Sequence, residues 1–402
     1  MLKILQLSNK APFPANDGSS IAIYNMAQGL IENNVKLNLL TINTKKHFKP
    51  DSQVPTAFKE NSNYSSVYKN TNTSALGALK NLFSSQSYFV SRFYFKEFET
   101  KLIDVLTKNS FDIIQLEGVF MAIYLKTIKK YSKAKIVLRA HNIEHKIWER
   151  HLTNAKLNLI NYYLKLQNNR LKKFEINVLN EVDAIVPITD YDNNLFKELG
   201  FKNRLFTCLT GVNVLSYQSK QNLKIKANTI FYFGSMDWLP NQEAVKWFLD
   251  NCWNKISKTV PETKFVIAGR GMPHGFKQLN LPNVLVIENV ADAKSFYEQH
   301  QIMVVPLLSG SGLRIKIIEG MAYGKAIVST SIGAEGIYCN PQNDLIIADN
   351  VDDFCKAVIE LLTNPEKRID LEKNATAFAY QNFDNKNVVS KLVQFYNTIL
   401  ND

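Results

Sequence analysis

The sequence predicts an α/β protein made of two doubly wound halves. A strand at Leu2 to Leu7, a loop from Asn9 to Ser20, a helix from about Ser20 to Glu32 and a strand at Val35 to Ile42 set the opening rhythm of such a sheet. The rhythm restarts at Thr229 to Phe233, followed by a glycine turn and a helix from Gln242 to Ile256. The later strands, at Lys264 to Ala268, Val284 to Ile287, Ile302 to Pro306, Ala326 to Ser329 and Asp344 to Ala348, are apolar runs rather than alternations. Runs of that kind are buried on both faces, as in a parallel sheet with helices on either side. A chain of 402 residues is long enough for two such cores.

Composition narrows the class. Hydrophobic residues make up 46% and charged residues 21%, which is globular usage, and no apolar run is long enough to span a bilayer. The stretch from Met1 to Ser8 is too short and too strand-like for a secretory signal. Cys208, Cys252, Cys339 and Cys355 lack the paired spacing of a zinc site or a disulfide framework, so a cytoplasmic setting is expected. The net charge of +12 is concentrated in the first half. Residues 1–200 hold 27 Lys+Arg against 17 Asp+Glu (+10), and the remainder hold 21 against 19 (+2). Such asymmetry asks for an anionic partner. No helix-turn-helix, finger or RNA-binding signature occurs, so the expected partner is an acidic membrane surface and not a nucleic acid.

The first half delivers polar residues to strand ends, where wound sheets bind ligands. Gly18, in the first loop, either lets backbone donors reach a phosphate or only turns the chain. Residues Lys49 to Gly77, rich in Ser, Asn, Thr and Lys without a period, read as a mobile loop. The aromatic group Phe83, Tyr88, Phe89, Phe93, Tyr94, Phe95 and Phe98 is either core, a wall for a sugar or lipid-linked acceptor, or an interfacial contact. Past a helix near Lys96 to Thr107, the strand Asp112 to Leu116 presents Glu117, a carboxylate that either contacts an acceptor or is solvated. After a helix near Phe120 to Lys130, the strand Lys135 to Leu138 brings His141 to the same edge. Asn142 to Asn180 form one long or broken helix, whose Lys156, Lys165, Arg170, Lys172 and Lys173 are either a solvated face or a dock for anionic lipid. A strand at Asp183 to Ile188 follows. Asp190 and Asp192 have the spacing of a metal-holding pair, but Thr189 reads as a helix cap, as does the cluster from Asp349 to Asp353. No metal site is expected.

The densest chemistry lies at Ser309 to Gly324. A strand ending at Pro306 runs into a small-residue turn and then a helix. Gly310 and Gly312 allow close backbone approach, and the helix N-terminus adds unpaired amides that favour an anion. Arg314 and Lys316 put two cations in a first turn that ordinarily favours Asp and Glu. Glu319 follows on the face of Lys316. Donors for phosphates beside a carboxylate for sugar hydroxyls read as a nucleotide-diphosphate pocket. Gly234 and Ser235 add a second glycine turn at a strand end.

The residues Ser309 to Gly324, continuing through Lys325 to Thr330, resemble the donor-site signature of the retaining glycosyltransferases of family 4, in the branch with Arg-x-Lys-x-x-Glu. Many relatives carry two glutamates eight positions apart; here the later one is Glu319 and the earlier position is Ser311. The resemblance implies the GT-B fold, with two Rossmann-like domains facing across a cleft. It implies an acceptor-side domain at 1–210, a linker at 211–228, a donor domain at 229–384 and a terminal segment at 385–402 that returns to the first domain. It further implies retaining transfer from a nucleotide sugar to a glycan or lipid-linked acceptor, with no cofactor, in cell-envelope polysaccharide synthesis. Catalytic roles would fall to His141, Arg314 and Lys316, and donor contacts to Gly18, Gly234, Gly310, Ser311, Gly312, Arg314, Lys316 and Glu319. Glu117 would lie on the acceptor side. The rival expectation is an inactive sugar-nucleotide-binding protein of the same fold.

Overall fold

The structure, a computed structural model, describes residues 1–13, 15, 18–45, 48, 50–153, 158–214, 228–310 and 313–401. The chain divides into two compact units, Met1–Gly211 with Asn385–Asp402, and Val212–Asp384. Much of the stretch expected as a linker, 215–227, lies outside the described residues.

The first unit holds a seven-stranded parallel sheet in the order β3-β2-β1-β4-β5-β6-β7. Its strands are β1 (Lys3–Ser8), β2 (Lys36–Thr44), β3 (Ser65–Lys69), β4 (Ile113–Glu117), β5 (Lys135–Ala140), β6 (Ala184–Pro187) and β7 (Arg204–Leu205). Side chains alternate between two apolar cores. Leu5, Leu7, Ile114, Leu116 and Leu138 enter one, while Ile4, Ile113 and Val137 enter the other. The final helix, Asn385–Leu400, supplies Val388, Val389, Leu392, Tyr396 and Ile399 to the second core. It crosses the helix Gly18–Glu32 so closely that a Cβ on Gly29 would sit 2.5 Å from Val389 Cγ2.

The second unit holds a six-stranded parallel sheet in the order β10-β9-β8-β11-β12-β13. These strands are β8 (Thr229–Phe233), β9 (Lys264–Gly269), β10 (Val284–Glu288), β11 (Ile302–Val305), β12 (Ala326–Ser329) and β13 (Ile346–Ile347). Both sheets wind outward in two directions from a central pair, β1 with β4 and β8 with β11. At such a reversal the loops diverge and leave a crevice at the carboxyl ends.

Two expectations need correction. The stretch from Lys49 to Gly77 is not a bare loop. It contains the helix Thr56–Asn61, the strand β3 and the start of the helix Ala75–Leu82. β3, with the sequence SSVYK, is an edge strand with no buried residue, so no apolar run announced it. The helix expected from Gln242 starts at Leu239, because Pro240 is tolerated in a first turn, and it continues through a π-type turn at Leu249–Trp253. The segment after His141 is two helices, Glu144–Thr153 and Leu159–Leu179. Phe89, Phe93, Phe95 and Phe98 are core, whereas Phe83 is 92% exposed.

Candidate functional site

The second unit gathers its polar residues at the reversal between β8 and β11. Gly234 directly follows β8, and a Cβ there would lie 2.9 Å from Lys316 Nζ and 3.2 Å from Asn241 Nδ2. Only a glycine leaves the lysine its seat. Lys316 Nζ donates to the Tyr232 hydroxyl at 2.8 Å and to Asn241 Oδ1 at 2.9 Å, and lies 4.5 Å from the Tyr232 ring centre. Asn241 Nδ2 in turn donates to the Ser235 carbonyl at 2.7 Å, and Arg270 Nε donates to Ser235 Oγ at 2.7 Å. Although Lys316 keeps some exposed surface, its ammonium end is enclosed. Burial, helped by the charge of Arg314, pushes it down to about 7.

Arg314 immediately precedes the helix Ile315–Ala322 and is buried, with its guanidinium 5.4 Å from the Trp238 ring centre. Burial lowers its pKa, and Glu335 partly offsets that. Gly310, at φ 113°, packs under both groups: a Cβ there would be 2.8 Å from Trp238 Cη2 and 2.9 Å from Arg314 Nη2. Glu319 sits one turn along the helix, where burial pushes its carboxyl up to about 7. Neither cation extends into open solvent. Burial thus acts on both ends of the pair, lowering the ammonium of Lys316 and raising the carboxyl of Glu319. Ser311 and Gly312 lie outside the described residues.

The first unit builds a second polar centre at the reversal between β1 and β4. Glu117 closes β4, is fully buried, and has both oxygens engaged. Gln6 Nε2 donates to Oε1 at 2.7 Å and Arg139 Nη1 to Oε2 at 2.9 Å, while His141 Nε2 lies 2.6 Å from Oε2. Burial alone would raise this carboxyl, but Arg139 and His141 outweigh it and hold it at about 2. An ionised Glu117 is the acceptor in the 2.6 Å contact with His141 Nε2, and Arg139 Nη1 lies 3.1 Å from the same ring nitrogen, so the three groups form one cluster that fixes the ring. Glu117 is therefore not the solvated carboxylate that was one of its two expected readings; it is buried and holds the His141 ring. Gln6, Gln115 and Arg139 share one strand phase, and Tyr396 donates to Gln115 Oε1 at 2.6 Å.

Other expected residues fall less centrally. Gly18 begins its helix, and a Cβ there would meet nothing within 4 Å, so packing does not demand glycine. His145 is buried with Nδ1 2.6 Å from Glu175 Oε2, a structural pair. Thr189 caps its helix by accepting from the Asp192 amide at 3.0 Å. Among the described residues no group of three or more His, Cys, Asp or Glu could hold a metal ion. Nothing in the sequence singles out Tyr232, which reads as a strand aromatic. Gln6, Gln115 and Arg139 did leave a signal, as polar residues inside otherwise apolar strands.

The fold of two doubly wound parallel sheets recurs in solved proteins. The sucrose-phosphate synthase of Thermosynechococcus elongatus matches with a TM-score of 0.69 at 13% identity, over 99% of each chain. Anabaena HepE, solved with UDP and glucose, matches at 0.65 and 13% identity, over 99% of this chain and all of that one. The pneumococcal O-GlcNAc transferase GtfA, solved with UDP and GlcNAc, matches at 0.65 and 12%, over 100% of this chain and 99% of that one.

The fold is GT-B.

On this GT-B chain, residues 227–364 match the family model described as glycosyl transferases group 1. That span contains the whole Gly234–Lys316–Glu319 cluster. A relative from Klebsiella pneumoniae, an uncharacterized 44.6 kDa protein in a cps region, is 22% identical over 98% of this chain and 99% of its own length.

Proposed function

We propose that the chain is a glycosyltransferase that moves a sugar from a nucleoside-diphosphate donor to a glycan or lipid-linked acceptor. The observation that carries this reading is the enclosed Lys316–Arg314 pair over Gly234 and Gly310, within the span that matches the group 1 model. Cleavage of the sugar–phosphate bond leaves new negative charge on the diphosphate, which two preorganised cations stabilise in a water-poor setting. Glu319 accepts hydrogen bonds from ribose hydroxyls, and His141 serves the sugar. Retention of configuration follows from the resemblance: the acceptor oxygen bonds to the anomeric carbon on the face the phosphate leaves, and the acceptor's proton passes to that phosphate. No metal or cofactor takes part. The Klebsiella relative's place in a cps region supports a role in envelope polysaccharide synthesis.

A thermal-shift screen of nucleoside-diphosphate sugars, followed by transfer assays with and without EDTA and NMR of the product anomer, tests the reading. Absence of any shift removes it. Binding without transfer or hydrolysis favours the inactive sugar-nucleotide-binding alternative, and an inverted anomer refutes retention.

A peripheral seat on anionic membrane is a second reading, favoured by one surface. Arg170 donates to the Asn81 and Leu82 carbonyls and Gln167 to Asn81 Oδ1, which fastens the helix Ala75–Leu82 to the helix Leu159–Leu179. Phe83, Leu159, Ile160 and Tyr162 remain outside, with Lys80 and Lys165 exposed among them. Apolar side chains ringed by lysines suit an acidic bilayer. The basic face is smaller than expected, because Arg170 is spent on those carbonyls and Lys172 pairs with Glu149; Lys156 lies outside the described residues. No helix among the described residues is long and apolar enough to cross a membrane. Co-sedimentation with phosphatidylglycerol vesicles but not phosphatidylcholine vesicles, lost in Phe83→Asp/Ile160→Asp, is the expected result. Equal sedimentation with both lipids contradicts it.

A further inference from the structure

The first unit contains a hollow of about 550 Å³ outside the Lys316 cluster. It lies at the carboxyl ends of three neighbouring parallel strands. Lys10 follows β1, Thr44 ends β2, and Asn72 follows β3. Ser19, in the first turn of the helix Gly18–Glu32, and the pair Arg92 and Phe93 complete the wall. The size falls within the roughly 300–1,000 Å³ of small-molecule sites.

The chemistry of the wall is one-sided. Two cations line it, and among the described lining residues there is no carboxylate. The Arg92 guanidinium lies 4.9 Å from the Phe93 ring centre, which holds its plane, and its Nε is buried without a partner. Thr44 is buried as well, with Oγ1 unpartnered. Ser8 Oγ fixes the strand end by donating to the Lys10 carbonyl at 2.8 Å. The carboxyl whose field reaches Arg92 is Glu144, and burial together with Glu175 pushes it up to about 7, so it neutralises the arginine only in part. A half-buried guanidinium with a second cation, hydroxyls and an amide around it is matched by an anionic oxygen group, for which Arg is the bidentate partner. A neutral sugar would leave part of the Arg92 charge unanswered.

We propose that this hollow binds the acidic part of the acceptor, a phosphate or a uronate carboxylate carried near the sugar to be extended. This deepens the transferase reading and rests on it for the word acceptor. The shared chemistry is the anionic oxygens. A phosphate would come from a lipid-linked acceptor and a carboxylate from an acidic glycan.

The test is calorimetric or NMR titration of the full chain with sn-glycerol 3-phosphate, glucuronate and glucose, with UDP titrated separately. Expected is binding of at least one anion with glucose much weaker. Arg92→Gln and Lys10→Gln should each weaken that anion by about tenfold, Arg92→Lys should recover part of the loss, and UDP affinity and melting temperature should stay unchanged. Preference for glycerol phosphate assigns the phosphate source, and preference for glucuronate the acidic glycan. The proposal is overturned if both anions bind no better than glucose, if Arg92→Gln leaves them unchanged, or if UDP displaces them one for one, which would give the hollow to the donor diphosphate. A chain that takes glucuronate or glycerol phosphate through Arg92 but no nucleoside diphosphate keeps the anion site and loses the transferase reading, so the two failures are distinguishable.

Discussion

Lys316 ends on Tyr232 and Asn241, and its enclosed ammonium is pushed down to about 7. A diphosphate favours the charged form, so the bound complex has the higher pKa and binding takes up a proton above about pH 7. Donor affinity should therefore be greatest below about pH 7 and fall as pH rises through and beyond it. Calorimetry of UDP binding in buffers of different ionisation enthalpy should reveal that uptake, and a flat affinity across this window would refute it. Lys316→Ala should cost UDP about 1.5–3 kcal/mol while leaving uridine nearly unaffected; equal losses would take the lysine away from the phosphates. Glu117 makes a different case. Removing it strands the buried Arg139 guanidinium, so Glu117→Ala should lower stability by about 3–5 kcal/mol, readable by urea melts. A loss well under 1 kcal/mol would mean that Arg139 is satisfied by something else.

Among the elements, the strand–turn–helix units were legible because each carries its own signal. β8 and β12 fall on the expected residues, and β9, β10 and β11 differ from them by a single residue at the end. β3 was not legible, since an edge strand has little to bury and its polar residues resemble a loop. The cluster around Lys316 was legible in part. Gly234, Gly310, Arg314, Lys316 and Glu319 stand out as glycine turns and misplaced cations. Their mutual packing, with Gly234 making room for Lys316 and Gly310 for Trp238 and Arg314, depends on strands far apart in sequence. The burial of Glu117 was hidden for the same reason, because its partners on β1 and β5 appear only once the sheet is wound. The crossing of the helices Gly18–Glu32 and Asn385–Leu400 offers a test at this scale. Gly29→Ala gains helix propensity of roughly 1 kcal/mol but drives a methyl into Val389, so a net loss of about 1–2 kcal/mol is expected. Pairing it with Val389→Ala should show favourable coupling in a double-mutant cycle, whereas simple additivity would mean that the helices separate freely.

Over the whole molecule, two windings of one pattern account for the two cores, and the sequence carried that repetition in its rhythm of apolar runs. It carried less about which residues close each unit. The first unit is discontinuous: Met1–Gly211 is completed by Asn385–Asp402, with Val212–Asp384 lying between them in the chain. A chain ending at Asp384 would lack Val389, Leu392, Tyr396 and Ile399 from one face of its first sheet and leave Gln115 without the tyrosine hydroxyl. Such a truncation should melt in two steps, with the 212–384 portion outlasting the rest. A single transition at the full-length temperature would contradict this.

The same interruption constrains manufacture on the ribosome. The amino-terminal sheet leaves the exit tunnel first yet must wait, one apolar flank open, while every residue of the intervening portion is polymerised. The portion made second thus has the chance to mature first, and during that interval the older half is the one exposed to chaperones, proteases and self-association.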